Sequence, residues 1–325
     1  MLMNFRTASS TPEVRGKKLA AIQKDLLNVL ENGGVGRFAA DTDLQWKVAT
    51  LFRETVVDGF AMTDPTPIFT ERRDARLGDK HEFTKLINTL RVVKYAPMSE
   101  PLIFTPRKAK YTISTSAYEL PVGIDLQKIL TRQHTVAEFA DMSAQAITRH
   151  YVNLTLTAID TACATGVTDL RGRSLRTAAA SQDVAQVDLD GQLRRMYASN
   201  MDGLTVFAHR YALDPIFDFA ANTDSANEEL RARGVLGTYR GARLVSMQDE
   251  YNMWTQQFTT INAVDWEKLI FISSGNPGAI LLERDLSALN WQDLDAERAW
   301  FRTGVRWDHG ILVHSNWRYG VIELM

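Results

Sequence analysis

The chain is poor in the features that usually announce a function. It has one cysteine, Cys163, in 325 residues. An intrachain disulfide is therefore excluded, and stability must come from burial or assembly. Cys163 itself reads as a small buried hydrophobe near a helix end. No sign of charge dominates: 37 Lys and Arg stand against 39 Asp and Glu, a formal net charge of −2. That balance argues against a dedicated nucleic-acid binder, which carries a basic face, but not against a protein that encloses DNA without gripping it. No run approaches the roughly eighteen apolar residues of a membrane span. The opening residues, Met1 to Arg6, lack the basic-then-apolar layout of a signal peptide, so the protein is expected to be made and used in the cytoplasm.

Catalytic motifs are missing as well. There is no P-loop, Gly-x-Ser-x-Gly elbow or His-Glu-x-x-His pair. Gly33-Gly34-Val35-Gly36 is glycine-rich, but it follows a helical pattern, and a phosphate loop needs strand–loop–helix order. The six histidines are His81, His134, His150, His209, His309 and His314. The last two, five residues apart on an extended chain, face opposite sides, and all six read as satisfied structural groups. No carboxylate pair stands out as an acid/base couple. No catalytic, cofactor or metal residue is therefore assigned.

What the chain does have is an ordinary globular composition, 45 % hydrophobic and 23 % charged. Its length suits one large domain or two to three subdomains. After a flexible lead over residues 1–10, Thr11-Pro12-Glu13 opens a helix with the stripe Leu19, Ile22, Leu26 or Leu27, and Leu30. Asn32-Gly33-Gly34 is expected to end it. A second helix is predicted over Trp46 to Val57, stopped by Asp58-Gly59. Asp64-Pro65-Thr66-Pro67 forbids helix, and a long arm follows, from Thr66 to Tyr118. It begins with the charge run Glu71–Lys80, read as a solvated loop or a contact to a neighbouring subunit. Two extended candidates follow, Glu82–Tyr95 and Leu102–Tyr118, around a hairpin tip at Ala96–Pro101. Tyr111–Tyr118 is the better strand; Phe83–Tyr95 also fits a helical face.

A helix of about thirty residues, Thr135 to Ala164, comes next and spans roughly 45 Å. Its predicted stripe is Val136, Phe139, Ala140, Ser143, Ile147, Tyr151, Leu154, Ala158 and Ala162, with Glu138, Asp141, Gln145 and Arg149 off it. The remainder is mixed. Strands are predicted at Gly203–Ala208, Arg243–Met247, Lys268–Ser273 and Ala279–Glu283, and helices at Tyr211–Ala221 and Ser225–Arg233. The end reads as a meander: Trp300–Trp307, a turn at Asp308-His309-Gly310, Ile311–Ser315 and Gly320–Leu324. Trp291, Trp300, Trp307 and Trp317 are expected to pack this terminal sheet.

The order of elements resembles the major capsid proteins of tailed phages, the Hong Kong 97-type fold. The likeness covers about residues 60–325. Tyr118-Glu-Leu-Pro-Val-Gly-Ile124 running into the helix of 135–164 resembles that fold's spine. Gly237-Thr-Tyr-Arg-Gly-Ala-Arg-Leu-Val245 resembles the strand entering the second half of its axial subdomain, and Arg306–Leu324 its last peripheral strands.

The resemblance implies an α+β fold. It comprises an N-terminal arm with helices (1–63), an extended hairpin or E-loop (64–118), a peripheral subdomain with the spine helix (119–185), an axial subdomain (186–298) and closing peripheral strands (299–325). It implies a structural shell subunit without catalysis or cofactor. Its partners would be copies of itself in hexamers and pentamers, with scaffolding, portal and cement proteins as further possibilities. The shell would enclose double-stranded DNA without reading its sequence, in a virion assembled in the bacterial cytoplasm. The chain lacks the type member's long N-terminal scaffold-like extension, with only the short helix 12–31 at its start, so a separate scaffolding protein or none is expected, and no large maturation cleavage. Candidate inter-subunit contacts are Arg72, Arg73, Arg76, Lys80, Lys94, Tyr95, Met98 and Glu100. The alternatives are an encapsulin-like compartment shell and an unrelated α/β enzyme. The arm suits a shell on physical grounds too. A two-stranded ribbon is marginal alone, and heterologous contacts between copies close into rings and shells.

Overall fold

A computed structural model describes residues 12–63, 66–75, 82–87, 107–169, 171–180, 183–199, 203–220, 237–247, 250–252, 257–259, 267–273, 278–284, 292–295 and 300–324. The expected lead over 1–10, hairpin tip at 96–101 and helix at 225–233 lie outside them.

The first helix, α1 (Pro12–Ala40), does not end at Asn32-Gly33-Gly34 but kinks there. Gly34 takes φ 64° and ψ −167°, a left-handed conformation that glycine adopts without a Cβ clash. Helix resumes beyond it because Phe38, fully buried, anchors the second segment in the core. Helix α2 (Thr42–Thr63) begins where the Asp41 carboxylate accepts the Leu44 N–H at 3.0 Å. It runs past Asp58-Gly59, which was expected to stop it. Val56 and Phe60 are both buried, and their burial outweighs the roughly 1 kcal/mol that glycine costs inside a helix.

Helix α3 (Leu126–Leu130) is capped by Asp125. The long helix is α4 (Val136–Ala162), opened by a capping box between Thr135 and Glu138 and closed at buried Cys163. Up to Tyr151 its buried stripe follows the predicted one, except that Phe139 is only half-buried and Ala144 joins it; then it departs. Val152, Thr155, Leu156 and Ile159 are buried, not Leu154, Ala158 and Ala162. The stripe shifts because the helix changes partners. Val136 to Tyr151 pack with α1 and α2, whereas Val152, Leu156, Ile159 and Cys163 pack in a second core.

Helices α5 (Gln186–Ser199) and α6 (Arg210–Ala220) follow. In chain order the strands are β1 (Glu71–Ala75), β2 (Glu82–Ile87), β3 (Arg107–Thr112), β4 (Ser116–Asp125) and β5 (Arg176–Ala178). Then come β6 (Leu204–His209), β7 (Thr238–Tyr239), β8 (Ala242–Met247), β9 (Glu250–Asn252) and β10 (Gln257–Thr259). The last five are β11 (Lys268–Ser273), β12 (Ala279–Arg284), β13 (Gln292–Asp295), β14 (Trp300–Val313) and β15 (Tyr319–Glu323).

One sheet has the order β1-β12-β14-β13, with β4 on the other side of β14. A second has the order β5-β15-β11-β6-β8-β7, while β2-β3 and β9-β10 form separate two-stranded ribbons. All six residues of β6 are buried, because the second sheet is covered on both faces. Leu204, Val206, Leu269 and Phe271 face the core that includes Leu189, Leu193 and Ile216 of α5 and α6. Phe207, Ile270, Ile272 and Val321 face the second half of α4. The long helix thus spans both sheets. Near its end, Asp160 accepts Lys268 Nζ at 3.1 Å and an Arg176 N–H, and Arg176 also pairs with Glu323 at 2.9 Å. These contacts tie α4 to β11, β5 and β15.

Three expectations are corrected. First, Asp308-His309-Gly310 is not a turn: β14 is continuous from Trp300 to Val313. The glycine is needed for close approach, since a Cβ on Gly310 would lie 2.2 Å from the Ser114 carbonyl oxygen. Second, Tyr111–Tyr118 is two strands. β3 pairs with β2, β4 pairs with β14, and Ile113 between them drops into a small cluster with Ile280 and Leu282. Third, the front of the charge run is no loop: Glu71–Ala75 pairs in parallel with Ile280–Arg284. Sheet membership also crosses the 298/299 boundary, because β12 and β13 join β14 whereas β15 joins β11.

Ile147, 1 % exposed in the first core, gives a direct test of the helix stripe. Ile147→Asn is expected to cost about 2–5 kcal/mol of stability in denaturant unfolding. An unchanged unfolding midpoint would contradict the packing described.

Candidate functional site: the hairpin and the groove at its root

The β2–β3 ribbon is antiparallel, with Phe83 opposite Tyr111 and Thr84 opposite Lys110. This settles Phe83–Ile87 as strand, not helix. Cross-strand partners share a face, so the ribbon has two unlike sides. Phe83, Ala109 and Tyr111 are half-buried, and Phe83 packs on the cluster of Ile113, Ile280 and Leu282. The opposite side presents Glu82, Thr84, Lys108, Lys110 and Thr112 to solvent. Among these described residues, two lysines against one glutamate make the outer face basic.

The two contact candidates in β1 behave differently. Arg73 pairs with Glu71 at 2.8 Å and lies over the Phe83 ring at 4.8 Å, so it braces the ribbon's root. Arg72, the adjacent residue, turns to the other side of the sheet. Its guanidinium sits 5.1 Å from the Phe60 ring and 5.7 Å from Tyr151. Within the chain, Arg72 therefore serves the junction of α2, α4 and β1. Arg76, Lys80, Lys94, Tyr95, Met98 and Glu100 lie outside the described residues.

A groove of about 380 Å³ opens between α4 and the β4–β14 ladder. One wall carries His150, Asn153, Leu154 and Thr157, and the other His309 and Ile311. His309 is 1 % exposed and sits between Tyr118 and Tyr151, with ring centroids at 4.2 and 4.6 Å; the His150 ring is 5.2 Å away. The Trp307 indole N–H donates to His309 Nδ1 at 3.0 Å. Indole nitrogen can only donate, so Nδ1 is the acceptor and the neutral ring keeps its proton on Nε2. Burial, then the neighbouring His150 and Arg72, push the His309 pKa down to about 3. Burial lowers His150 as well. Both rings are neutral at pH 7.

Their hydrogen bonding is incomplete. His309 Nε2, His150 Nε2 and Asn153 Oδ1 are buried without a partner. Each such group costs about 1–3 kcal/mol. The expectation that all the histidines are satisfied is thus corrected for these two. Sequence reasoning missed the cluster because residues 150 and 309 carry no spacing relation, and because a turn was placed at 308–310 where strand continues. His314 is elsewhere, beside Tyr111 and Ser315, as the opposite-face argument predicted. Of the C-terminal tryptophans, Trp307 is buried in the sheet core, Trp300 is 44 % exposed, and Trp317 lies under Arg318; Trp291 lies outside the described residues.

Among the described residues no cluster of His, Cys, Asp or Glu could hold a metal ion, and no helix is long and apolar enough to cross a membrane.

The architecture is the Hong Kong 97-type fold of tailed-phage capsid proteins. The chain is similar to the capsid of Cyanophage P-SCSP1u, with a TM-score of 0.56 and 12 % identity over 79 % of this chain and 86 % of that one. It is also similar to the mature capsid of bacteriophage PhiM1, with a TM-score of 0.53 and 10 % identity over 81 % of this chain and 87 % of that one. The capsid of the native GTA particle matches with a TM-score of 0.52 and 12 % identity over 80 % of this chain and 89 % of that one. No protein-family model and no curated protein sequence matches the chain.

Proposed function

We propose that this chain is the major shell subunit of a tailed-phage head. Many copies assemble into an icosahedral wall that encloses double-stranded DNA. The observation that carries this reading is a match to capsid chains over about four-fifths of the residues. A two-faced ribbon whose described root packs through Phe83 on the cluster of Ile113, Ile280 and Leu282 supports it. In this reading the chain performs no catalysis. Its first partner is itself, in hexamers and pentamers, with scaffolding, portal and cement proteins completing the particle in the host cytoplasm. The near-neutral charge suits a wall that contains DNA without gripping it. The sheet containing β14 with α1, α2 and the first half of α4 forms the peripheral subdomain, and the sheet containing β6 forms the axial one. Arg73, Arg76, Lys80, Lys94, Tyr95, Met98 and Glu100 contact neighbouring copies.

Analytical ultracentrifugation under assembly conditions tests this. Megadalton particles or capsomer rings are expected. A single stable species at 36.6 kDa would sink the reading. Particles loaded with an enzyme and no DNA would assign the shell to the encapsulin-like alternative.

A further inference from the structure

We propose that Gly310 is the positioning residue of the arm. By letting the link Ile113–Thr115 cross β14 at close contact, it sets the direction in which the β2–β3 ribbon leaves the sheet. The inference rests on the shell reading above and names what aims its arm.

The glycine is required for space and not for conformation. Gly310 lies inside β14 and is not one of the described glycines with positive φ, which are Gly34, Gly166, Gly172 and Gly241. Any residue adopts extended backbone, so nothing in its own φ demands glycine. The demand comes from the chain that crosses it. A Cβ there would lie 2.2 Å from the Ser114 carbonyl oxygen and 3.0 Å from both the Ser114 carbonyl carbon and Ile113 Cγ2. The closest of these atoms is main chain, so no rotamer change relieves the clash. The Ser114 carbonyl would have to retreat by about 1 Å or more to reach an ordinary contact.

What would move is the joint of the arm. Ile113, Ser114 and Thr115 alone separate β3 of the ribbon from β4 of the sheet. β4 runs in register with β14 as far as Ser116 opposite His309. Beyond that pair the chain has left the ladder and passes over Gly310. Ile113, 2 % exposed, lands beside Ile280 and Leu282, and Leu282 is the register partner of Gly310. Phe83 closes on the same cluster from the other strand of the ribbon, with the Arg73 guanidinium 4.8 Å from its ring. The Tyr111 ring stands 6.3 Å from His314. The ribbon is thus seated on one end of β12 and β14 through Ile113, Phe83 and Tyr111, and Gly310 lies beneath the crossing. A short packed joint turns a small displacement into a tilt. Strand residues rise about 3.3 Å each, so Lys108 stands roughly 16 Å beyond Ile113, and a shift of about 1 Å at the joint becomes about 2 Å there.

Two nitroxide labels read that direction. Lys108→Cys places one on the solvent face of the ribbon, and Gln145→Cys places the other on the exposed side of α4. Cys163, fully buried, stays unlabelled. Double electron–electron resonance of the unassembled protein gives the distance between them. Gly310→Ala in that background is expected to shift the distance peak by about 2 Å, to retain cooperative melting, and to abolish closed particles of the parental diameter. A peak that stays in place overturns the proposal, because a merely structural glycine would alter melting and not direction. Particles of parental diameter and yield overturn it as well. If Gly310→Ala does not fold, Ile113→Ala decides. It empties the seat without crowding the crossing, so the peak is expected to broaden, and an unchanged distribution overturns the proposal. The parent keeps the two readings apart. If it forms no particles, the shell reading fails while the distance measurement still judges the joint. Normal parental particles with an unshifted peak refute the joint alone.

Discussion

Shortening the hairpin to its described root is expected to abolish shell assembly and leave the fold intact. In the variant, Asn-Gly replaces residues 88–106 and joins Ile87 to Arg107, an opposed pair in the β2–β3 register. That dipeptide closes a two-residue turn in the type I′ geometry that antiparallel strands favour. The fold should survive because its three large cores lie elsewhere, among α1, α2, α4 and the two sheets. The root keeps Phe83 on the Ile113–Ile280–Leu282 cluster and Arg73 over Phe83. Melting should stay within about 2 °C of the parent. Assembly should fail because the removed stretch includes Lys94, Tyr95, Met98 and Glu100, candidate contacts to a neighbour. Sedimentation and differential scanning calorimetry of the same sample read both halves. Normal particles from the shortened chain would show that the arm is not the inter-subunit element. Loss of melting cooperativity would show that it belongs to the fold.

Mild acid is expected to destabilise the folded subunit through His309. Its folded pKa lies near 3 because burial disfavours the imidazolium and His150 and Arg72 add repulsion. The unfolded value is about 6.5. Above pH 6.5 the ring is neutral in both states, and the contribution to stability is fully present. As pH falls from about 6.5 towards 3, the unfolded chain takes up a proton that the folded chain refuses. Stability therefore drops, with a limiting slope of about 1.4 kcal/mol per pH unit. His150, also shifted down by burial but less enclosed, adds a smaller share. Thermal melting of unassembled protein between pH 7.5 and pH 5.5 isolates this range from most carboxylate titration. His309→Phe keeps an aromatic ring between Tyr118 and Tyr151 and removes the proton site. It should flatten the pH slope whatever it does to stability at pH 7.5. An unchanged slope in that variant would place the titration elsewhere.

Much of the fold is legible in the sequence where one local signal decides. The long apolar period marks α4 to within two residues at each end. Lys268–Ser273 and Ala279–Glu283 are β-branched and aliphatic runs predicted as strands, and both are strands. The differences share a cause: a glycine reads locally as punctuation. Gly34 is a kink, Gly59 rides inside α2 beside buried Phe60, and Gly310 lets β14 pass the Ser114 carbonyl. In each case packing at a distance, invisible in a local window, decides between turn and continuation. The α4 stripe fails after Tyr151 for the same reason, since the helix passes from one core to another. The groove was illegible because it joins the middle of a helix to the middle of a strand, more than 150 residues apart in the chain. Its polar groups are notable only for the partners they lack. Of the contact candidates, Arg72 illustrates the limit of reading charge as surface: alternation along β1 turns it towards Phe60 and Tyr151 while Arg73 faces the hairpin.

The central claim, that this fold exists to tile a closed shell, is tested most directly by electron cryomicroscopy of the purified protein under assembly conditions. The account predicts closed particles with five-fold and six-fold clusters, in which α4 and the two sheets fit the density of each subunit. Fields of dispersed monomers, or open aggregates without rotational symmetry, would contradict it.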